Sequence, residues 1–257
     1  MAKRALLVVS FGTTFEDTRK KTIEKCEQDL QNAFSDYAFF RAYTSQMIIN
    51  KLATRDQLII PNPSQALTQI YKAGYTEVLI QTLHIICGNE YHKLLKDIKN
   101  FKSKFHILSL GRPLLTTIED YKQVVTATLA YLPSLKDKEA LVFMGHGTSH
   151  PNFSAYCALE YMFQQTNSNI YIGTVEGYPT ITEVLPKLLK NKTQVAYLIP
   201  FMLVAGDHAL HDMSGCEPNT WQNILLNHHI KPSIRLHGLG ENPQIRQLFI
   251  SHAKEAL

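Results

Sequence analysis

Three residues in the second half of this chain are of types that hold divalent ions or move protons. His146 lies between two glycines in FMGHGTSH (143–150), Glu176 lies in GTVEGYP (173–179), and His208 lies in VAGDHALH (204–211). Two imidazoles and a carboxylate suit borderline ions such as Co2+, Fe2+, Ni2+ or Zn2+. An imidazole is also a proton acceptor near neutral pH. Glycine on both sides of His146 allows positive φ and the close approach of another group, so the segment is built to display the ring. Taken singly, each residue has an ordinary structural explanation: a solvated loop histidine, a charge at a helix start, a histidine opening a helix. Their shared placement is what marks a site. Each follows an apolar run, at 140–144, 170–175 and 195–204.

Those runs belong to an alternation of short apolar segments with longer amphipathic ones, the pattern of parallel sheets covered by helices. In the first half, strands are expected at 5–11, 37–45, 77–86 and 105–111. Helices are expected at 15–34, with Thr13 and Thr14 as capping candidates, and at 63–73, 89–101 and 116–131. The pattern then restarts. ALLVVSFGTT (5–14) aligns with ALVFMGHGTS (140–149), EVLIQTLHIICGNE (77–90) with VAYLIPFMLVAGDH (195–208), and FFRAYTS (39–45) lies opposite YIGTVEG (171–177). The expected architecture is therefore α/β: two similar Rossmann-like domains with parallel sheets flanked by helices and a cleft between them. Their boundaries are placed at 1–135 and 136–257, with PSLKDKE (133–139) as the linker.

In such sheets ligands bind beyond the carboxyl ends of the strands. His146, Glu176 and His208 end three successive strands and should meet at one sheet edge. Their first-half counterparts are Phe11, Ser45 and Glu90. Only Glu90 of these is able to ligate a metal or move a proton, so the second half is the expected chemical half. Glu90 is expected to act from the other side of the cleft, and Phe11 and Ser45 to contact the substrate. His211 shares a face with His208 as a candidate supporting residue, and His84 and His92 flank the turn at Cys87 and Gly88.

Composition sets the outer limits. A chain of 257 residues with 45% hydrophobic and 19% charged content is ordinary for a globular protein, and a net charge of +4 is far too small to argue for nucleic acid. Cys26, Cys87, Cys157 and Cys216 form no C-x-x-C pair, which argues against a zinc knot or a disulfide framework and fits a reducing compartment. The apolar run after Lys3 and Arg4 is too short for a signal peptide and reads as a strand, and no run approaches the ~18 apolar residues of a membrane span. The expectation is a cytoplasmic protein. No G-x-S-x-G elbow or H-E-x-x-H motif is present, and GLGENP (238–243) has Asn242 and Pro243 where a dinucleotide loop needs glycine.

At SFGTTFEDTR, CGNEYHKL, FMGHGTSH, TVEGYPT and PFMLVAGDHALHDM the chain resembles the anaerobic sirohydrochlorin cobaltochelatases, class II tetrapyrrole chelatases related to ferrochelatase. The resemblance spans essentially the whole chain. It implies a lyase of cobalamin biosynthesis that inserts Co2+ into sirohydrochlorin, or a precorrin-type polycarboxylate tetrapyrrole, bound between the two domains. It implies metal ligation by His146, Glu176 and His208, proton acceptance by His146, and participation of Glu90. Co2+ is then a substrate, with Fe2+, Ni2+ or Zn2+ as substitutes in vitro, and no organic cofactor is expected. Arg19, Lys20, Arg41 and Arg112 are candidates for meeting the substrate carboxylates. A ferrochelatase serving siroheme, or a non-catalytic tetrapyrrole or metal carrier, are the alternatives.

Overall fold

A computed structural model of the chain describes residues 3–132 and 134–257. Met1, Ala2 and Pro133, the last being the first residue of the expected linker, lie outside the described residues. The chain forms two compact units. One runs to Thr116 and includes Pro243–Leu257, and the other is Thr117–Asn242.

The first unit contains β1 (Arg4–Ser10), α1 (Glu16–Lys21), α2 (Ile23–Ala33), β2 (Ala38–Tyr43), α3 (Gln46–Asp56), α4 (Pro63–Lys72), β3 (Glu77–Thr82), α5 (Asn89–Lys99) and β4 (Ile107–Gly111). The second contains α6 (Ile118–Leu129), β5 (Glu139–Gly147), α7 (Ser154–Gln164), β6 (Ile170–Glu176), α8 (Ile181–Lys190), β7 (Val195–Phe201), α9 (Trp221–Asn227) and β8 (Lys231–Ile234). The last helix, α10 (Pro243–Glu255), returns to the first unit, where it packs on α2, β3 and β4.

Each unit holds a four-stranded parallel sheet, ordered β2-β1-β3-β4 in one and β6-β5-β7-β8 in the other. The central strands explain themselves. Ala5 to Val9 in β1 and Ala140 to Met144 in β5 are all buried, which is what a parallel strand covered on both faces requires. The registers also match. Val9 pairs with Ala42 and Thr82, and Met144 pairs with Gly173 and Pro200. Counting on from these pairs carries Ser45 onto Glu176 and Glu90 onto His208.

Several expected elements differ in detail. The single helix expected at 15–34 is two, because Thr22 leaves helical geometry (φ −122°, ψ −79°) and its hydroxyl donates to the Thr18 carbonyl at 2.6 Å. The cap of α1 is Phe15, with no side-chain cap bond; Thr13 instead accepts from the Phe15 amide at 3.3 Å. α3 had no expected counterpart, and Ser45 is its N-cap. The third strand stops at Thr82, leaving Ile86 in an isolated bridge with Leu115. GLGENP forms a tight 3-10 turn in which a Cβ on Gly238 would lie 2.5 Å from the Leu203 carbonyl oxygen, so close backbone approach accounts for that glycine.

Candidate metal centre

His146 is not in a loop after its strand. β5 continues through Gly147, so the imidazole leaves from the penultimate residue of a strand. Three local features hold it there. A Cβ at Gly145 would sit 2.4 Å from the Tyr156 ring, so glycine admits that ring beside the strand. The Tyr156 hydroxyl accepts from the Gly147 amide at 3.3 Å, and burial pushes its pKa up to about 12, keeping it a neutral phenol. Gly147 has φ +85° and pairs in register with Glu176, whose carbonyl oxygen would be 1.6 Å from any Cβ at 147. The two glycines of GHG therefore serve separate contacts: Gly145 admits the Tyr156 ring of α7, and Gly147 lets the ends of β5 and β6 meet.

Glu176 is the last residue of β6 and is exposed. Its loop turns at Gly177 (φ +93°) and is tied back by Thr174, whose amide and hydroxyl both donate to the Pro179 carbonyl at 2.6 and 2.7 Å. His208 follows β7 and immediately precedes a π-helical turn, Ala209–Met213, whose end residues are fully buried.

Among the described residues, His146, Glu176 and His208 form a group whose ligand atoms all lie within 4.8 Å of one another. The imidazole rings stand at 89° with centroids 4.8 Å apart. Bonds of 2.0–2.2 Å to a borderline divalent ion bring ligand atoms to about 3–3.5 Å from each other, so small side-chain rotations would close the set. Nδ1 of His146 faces the Gly147 carbonyl at 3.3 Å, and Nδ1 of His208 faces Asp212 Oδ2 at 2.7 Å. A carbonyl or an ionised carboxylate can only accept, so a neutral ring at either position would donate from Nδ1 and present Nε2 as the ligand atom. Three such side chains would leave coordination positions open on a tetrahedral or octahedral ion.

Asp212 escaped the sequence reading, although its signal is plain in retrospect: HALHD puts a carboxylate four residues after His208. His211, the expected supporting residue, is exposed and engages Asp207 instead, through the backbone carbonyl at 3.1 Å and the carboxylate at 3.2 Å.

In the first unit, the counterparts are differently occupied. Phe11 is 37% exposed. Ser45 is buried, and its hydroxyl accepts from the Ile48 amide at 3.4 Å as the cap of α3. Glu90 lies in the first turn of α5; Oε1 pairs with Lys93, while Oε2 is buried with no hydrogen-bond partner among the described residues. His84 is half-buried, with Nδ1 2.6 Å from the Thr82 hydroxyl and Nε2 3.4 Å from that of Thr44. Burial pushes its pKa down to about 4 against the opposing pull of Glu90, so it is a neutral imidazole at physiological pH. His92 engages the Gly88 carbonyl at 3.0 Å through Nδ1.

The basic candidates all have acidic partners. Arg19 is buried against Glu24 at 3.1 Å, Lys20 pairs with Glu16 at 2.7 Å, Arg41 grips Glu27 with two nitrogens, and Arg112 pairs with Glu255. No helix among the described residues is long and apolar enough to cross a membrane.

A parallel α/β sheet with two imidazoles and a carboxylate at its carboxyl edge offers a donor set that could hold a divalent ion. The fold is shared with SirB from Bacillus subtilis, solved with Fe3+, at a TM-score of 0.67 and 15% identity, covering 99% of this chain and 95% of that one. Closer in sequence are two proteins. The sirohydrochlorin cobaltochelatase of Salmonella typhimurium (strain LT2) is 43% identical over 255 residues, covering 99% of this chain and 97% of that protein. The sirohydrochlorin cobaltochelatase CbiKC of Nitratidesulfovibrio vulgaris (strain Hildenborough) is 30% identical over 260 residues, covering 100% and 92%. The family model for the cobalt chelatase CbiK matches residues 4–257, and the chain belongs to that family. It is accordingly an enzyme of the metal-chelatase class.

Proposed function

We propose that this protein inserts Co2+ into sirohydrochlorin in cobalamin biosynthesis, with His146, Glu176 and His208 as the residues that receive the ion. The observation that carries the reading is the convergence of these three side chains beyond the carboxyl edge of one sheet, in a chain of the cobalt chelatase family. The names of the two relatives supply the tetrapyrrole. The affinity order of such a site does not favour Co2+ over Ni2+, Cu2+ or Zn2+, so cellular supply selects the ion.

Insertion requires that the ion shed water and that two pyrrole N–H protons leave. With Nδ1 of His146 turned to the Gly147 carbonyl, ligation and proton acceptance compete for Nε2. The roles are sequential in this reading: the ion leaves Nε2, which then takes one pyrrole proton. Glu90 accepts the other, and its buried oxygen without a hydrogen-bond partner supports that part. Phe11 and Ser45 contribute to the substrate side. The two halves, 1–135 and 136–257, are read as one duplicated chelatase-type unit, supported by their identical strand orders, with helices exchanged at the ends. The protein works in the cytoplasm, a reading supported by its four thiols.

The test is an anaerobic absorbance time course with sirohydrochlorin and Co2+, run beside His146→Ala. Repeated turnover is expected from the wild type, with a loss of at least about 100-fold in a folded mutant. A stoichiometric spectral shift without turnover would overturn the reading in favour of a carrier. Turnover with Fe2+ but none with Co2+ would move it to siroheme synthesis.

A further inference from the structure

We infer that Tyr178, propped by Phe153, is the face against which the flat tetrapyrrole lies while it takes the ion from the metal centre. This deepens the proposed function and rests on its assignment of a tetrapyrrole substrate. Tyr178 follows Glu176 by two residues, a stretch of chain that spans at most ~7 Å, so its ring belongs to the surroundings of the centre. It is 51% exposed, and Phe153, in the 3-10 turn after β5, is 38% exposed. The two rings meet edge to face, with centroids 6.2 Å apart at 86°. Large apolar rings left side by side in water gain from being covered, and a planar conjugated ligand covers an aromatic face well.

The two loops are held so that the rings keep this place. Gly177 has φ +93°, and a Cβ there would lie 2.5 Å from the Thr148 carbonyl oxygen, so the loop after β6 rests directly on the loop after β5. On the far side of Tyr178, the Pro179 carbonyl accepts from the amide and the hydroxyl of Thr174 at 2.6 and 2.7 Å. In the other loop, the His150 amide donates to the Thr148 hydroxyl at 3.1 Å, and the His150 carbonyl accepts from the Phe153 amide at 2.9 Å. The backbone on either side of Tyr178 is thus fixed, and Phe153 is carried on a closed turn. At 86° the rings cannot both lie flat on one plane. Tyr178 is the more exposed and the nearer in sequence to a ligand, so it offers its face, and Phe153 holds that ring in place. Metal ligands hold the ion but do not orient the plane of a macrocycle; an aromatic face beside them supplies that orientation.

The experiment titrates metal-free sirohydrochlorin, followed by its absorbance, into wild type, Tyr178→Ala, Tyr178→Phe, Phe153→Ala and the double alanine variant. Co2+ affinity is measured on each in parallel. Tyr178→Ala should weaken tetrapyrrole binding by about 3–10-fold and raise KM for the tetrapyrrole alike, with Co2+ affinity unchanged. Tyr178→Phe keeps the ring and should recover most of that loss. Phe153→Ala should weaken binding less, and should add little in the double variant, because a prop has no effect once its ring is gone. Wild-type tetrapyrrole affinity in Tyr178→Ala, no recovery in Tyr178→Phe, or fully additive losses would each overturn the inference. So would a parallel loss of Co2+ affinity, which would mean that the variants disturb the loop of Glu176 instead. Absence of tetrapyrrole binding by wild type would remove the proposed substrate itself, and this inference with it.

Discussion

At Gly147 the demands on a single residue are unusually easy to separate. Its φ of +85° and the Glu176 carbonyl oxygen, 1.6 Å from a would-be Cβ, act together. Gly74 has a similar φ of +79° but nothing within 4 Å of a would-be Cβ. Gly74→Ala should therefore cost only the backbone term, about 1 kcal/mol, whereas Gly147→Ala should cost at least about 2 kcal/mol and pull Glu176 off the centre. Urea unfolding of both variants, with Co2+ binding for the second, checks the pair. His84 offers a pH prediction. The unfolded chain protonates it below pH 6.5, whereas the folded chain resists until about 4. Its contribution is thus complete above pH 6.5 and drains away as pH falls toward 4, by at most about 3 kcal/mol. Urea midpoints at pH 7.5 and 5 should differ more in wild type than in His84→Gln; equal differences would acquit His84. At this scale the sequence was most legible for His146, Glu176 and His208, because strand-end placement needs only apolar runs to be seen. For Asp212 the sequence shows only the spacing, a carboxylate four residues after His208; that the two meet depends on a π turn that no local propensity signals.

Among the elements, β6 is the edge strand of its sheet, and edges leave amides that need partners. α7 supplies one. The Glu160 carboxylate, buried under that helix, accepts from the Ile172 amide at 2.8 Å and pairs with Lys187 from α8. Glu160→Ala should leave the Ile172 amide buried and unpaired, and destabilise the protein by about 1–3 kcal/mol. Amide hydrogen exchange should locate the loss in β6, next to Glu176, with β7 and β8 little changed. Uniform loss of protection over the whole sheet would contradict this local role. Element boundaries were read less well than element types. The periodicity across 15–34 continues through Thr22, so only the observed backbone reveals two helices. α3 was missed because its start is marked by Ser45 alone, with no acidic residue in the first turn.

For the whole molecule, the end of the chain is the informative part. α10 follows the second unit in sequence but completes the first, burying Ile245, Phe249, Ile250 and Ala253 and placing His252 Nδ1 3.2 Å from the Arg112 carbonyl. Asn242, just before it, stays with the second unit and donates to the Ala127 carbonyl at 2.8 Å. Truncation after Asn242 should therefore strip hydrogen-exchange protection from β3, β4 and α2 while largely sparing β5 to β8. A fragment of residues 1–135 should fail to fold cooperatively, since it lacks α10. Thermal melts of that fragment and of the truncated chain test both statements, and a cooperative 1–135 domain would contradict the unit assignment.

The sequence by itself determined the α/β class, the restart of the pattern near residue 140, and which three residues lie at or beyond the carboxyl ends of adjacent strands. All three follow from apolar runs whose burial is dictated locally, by alternation with amphipathic segments. Tertiary structure alone decided that α10 serves the first unit, that His146 leaves from a strand rather than a loop, and that Asp212 stands behind His208. Each of these depends on which surfaces meet after the chain has turned back on itself, and local side-chain preferences carry no record of that.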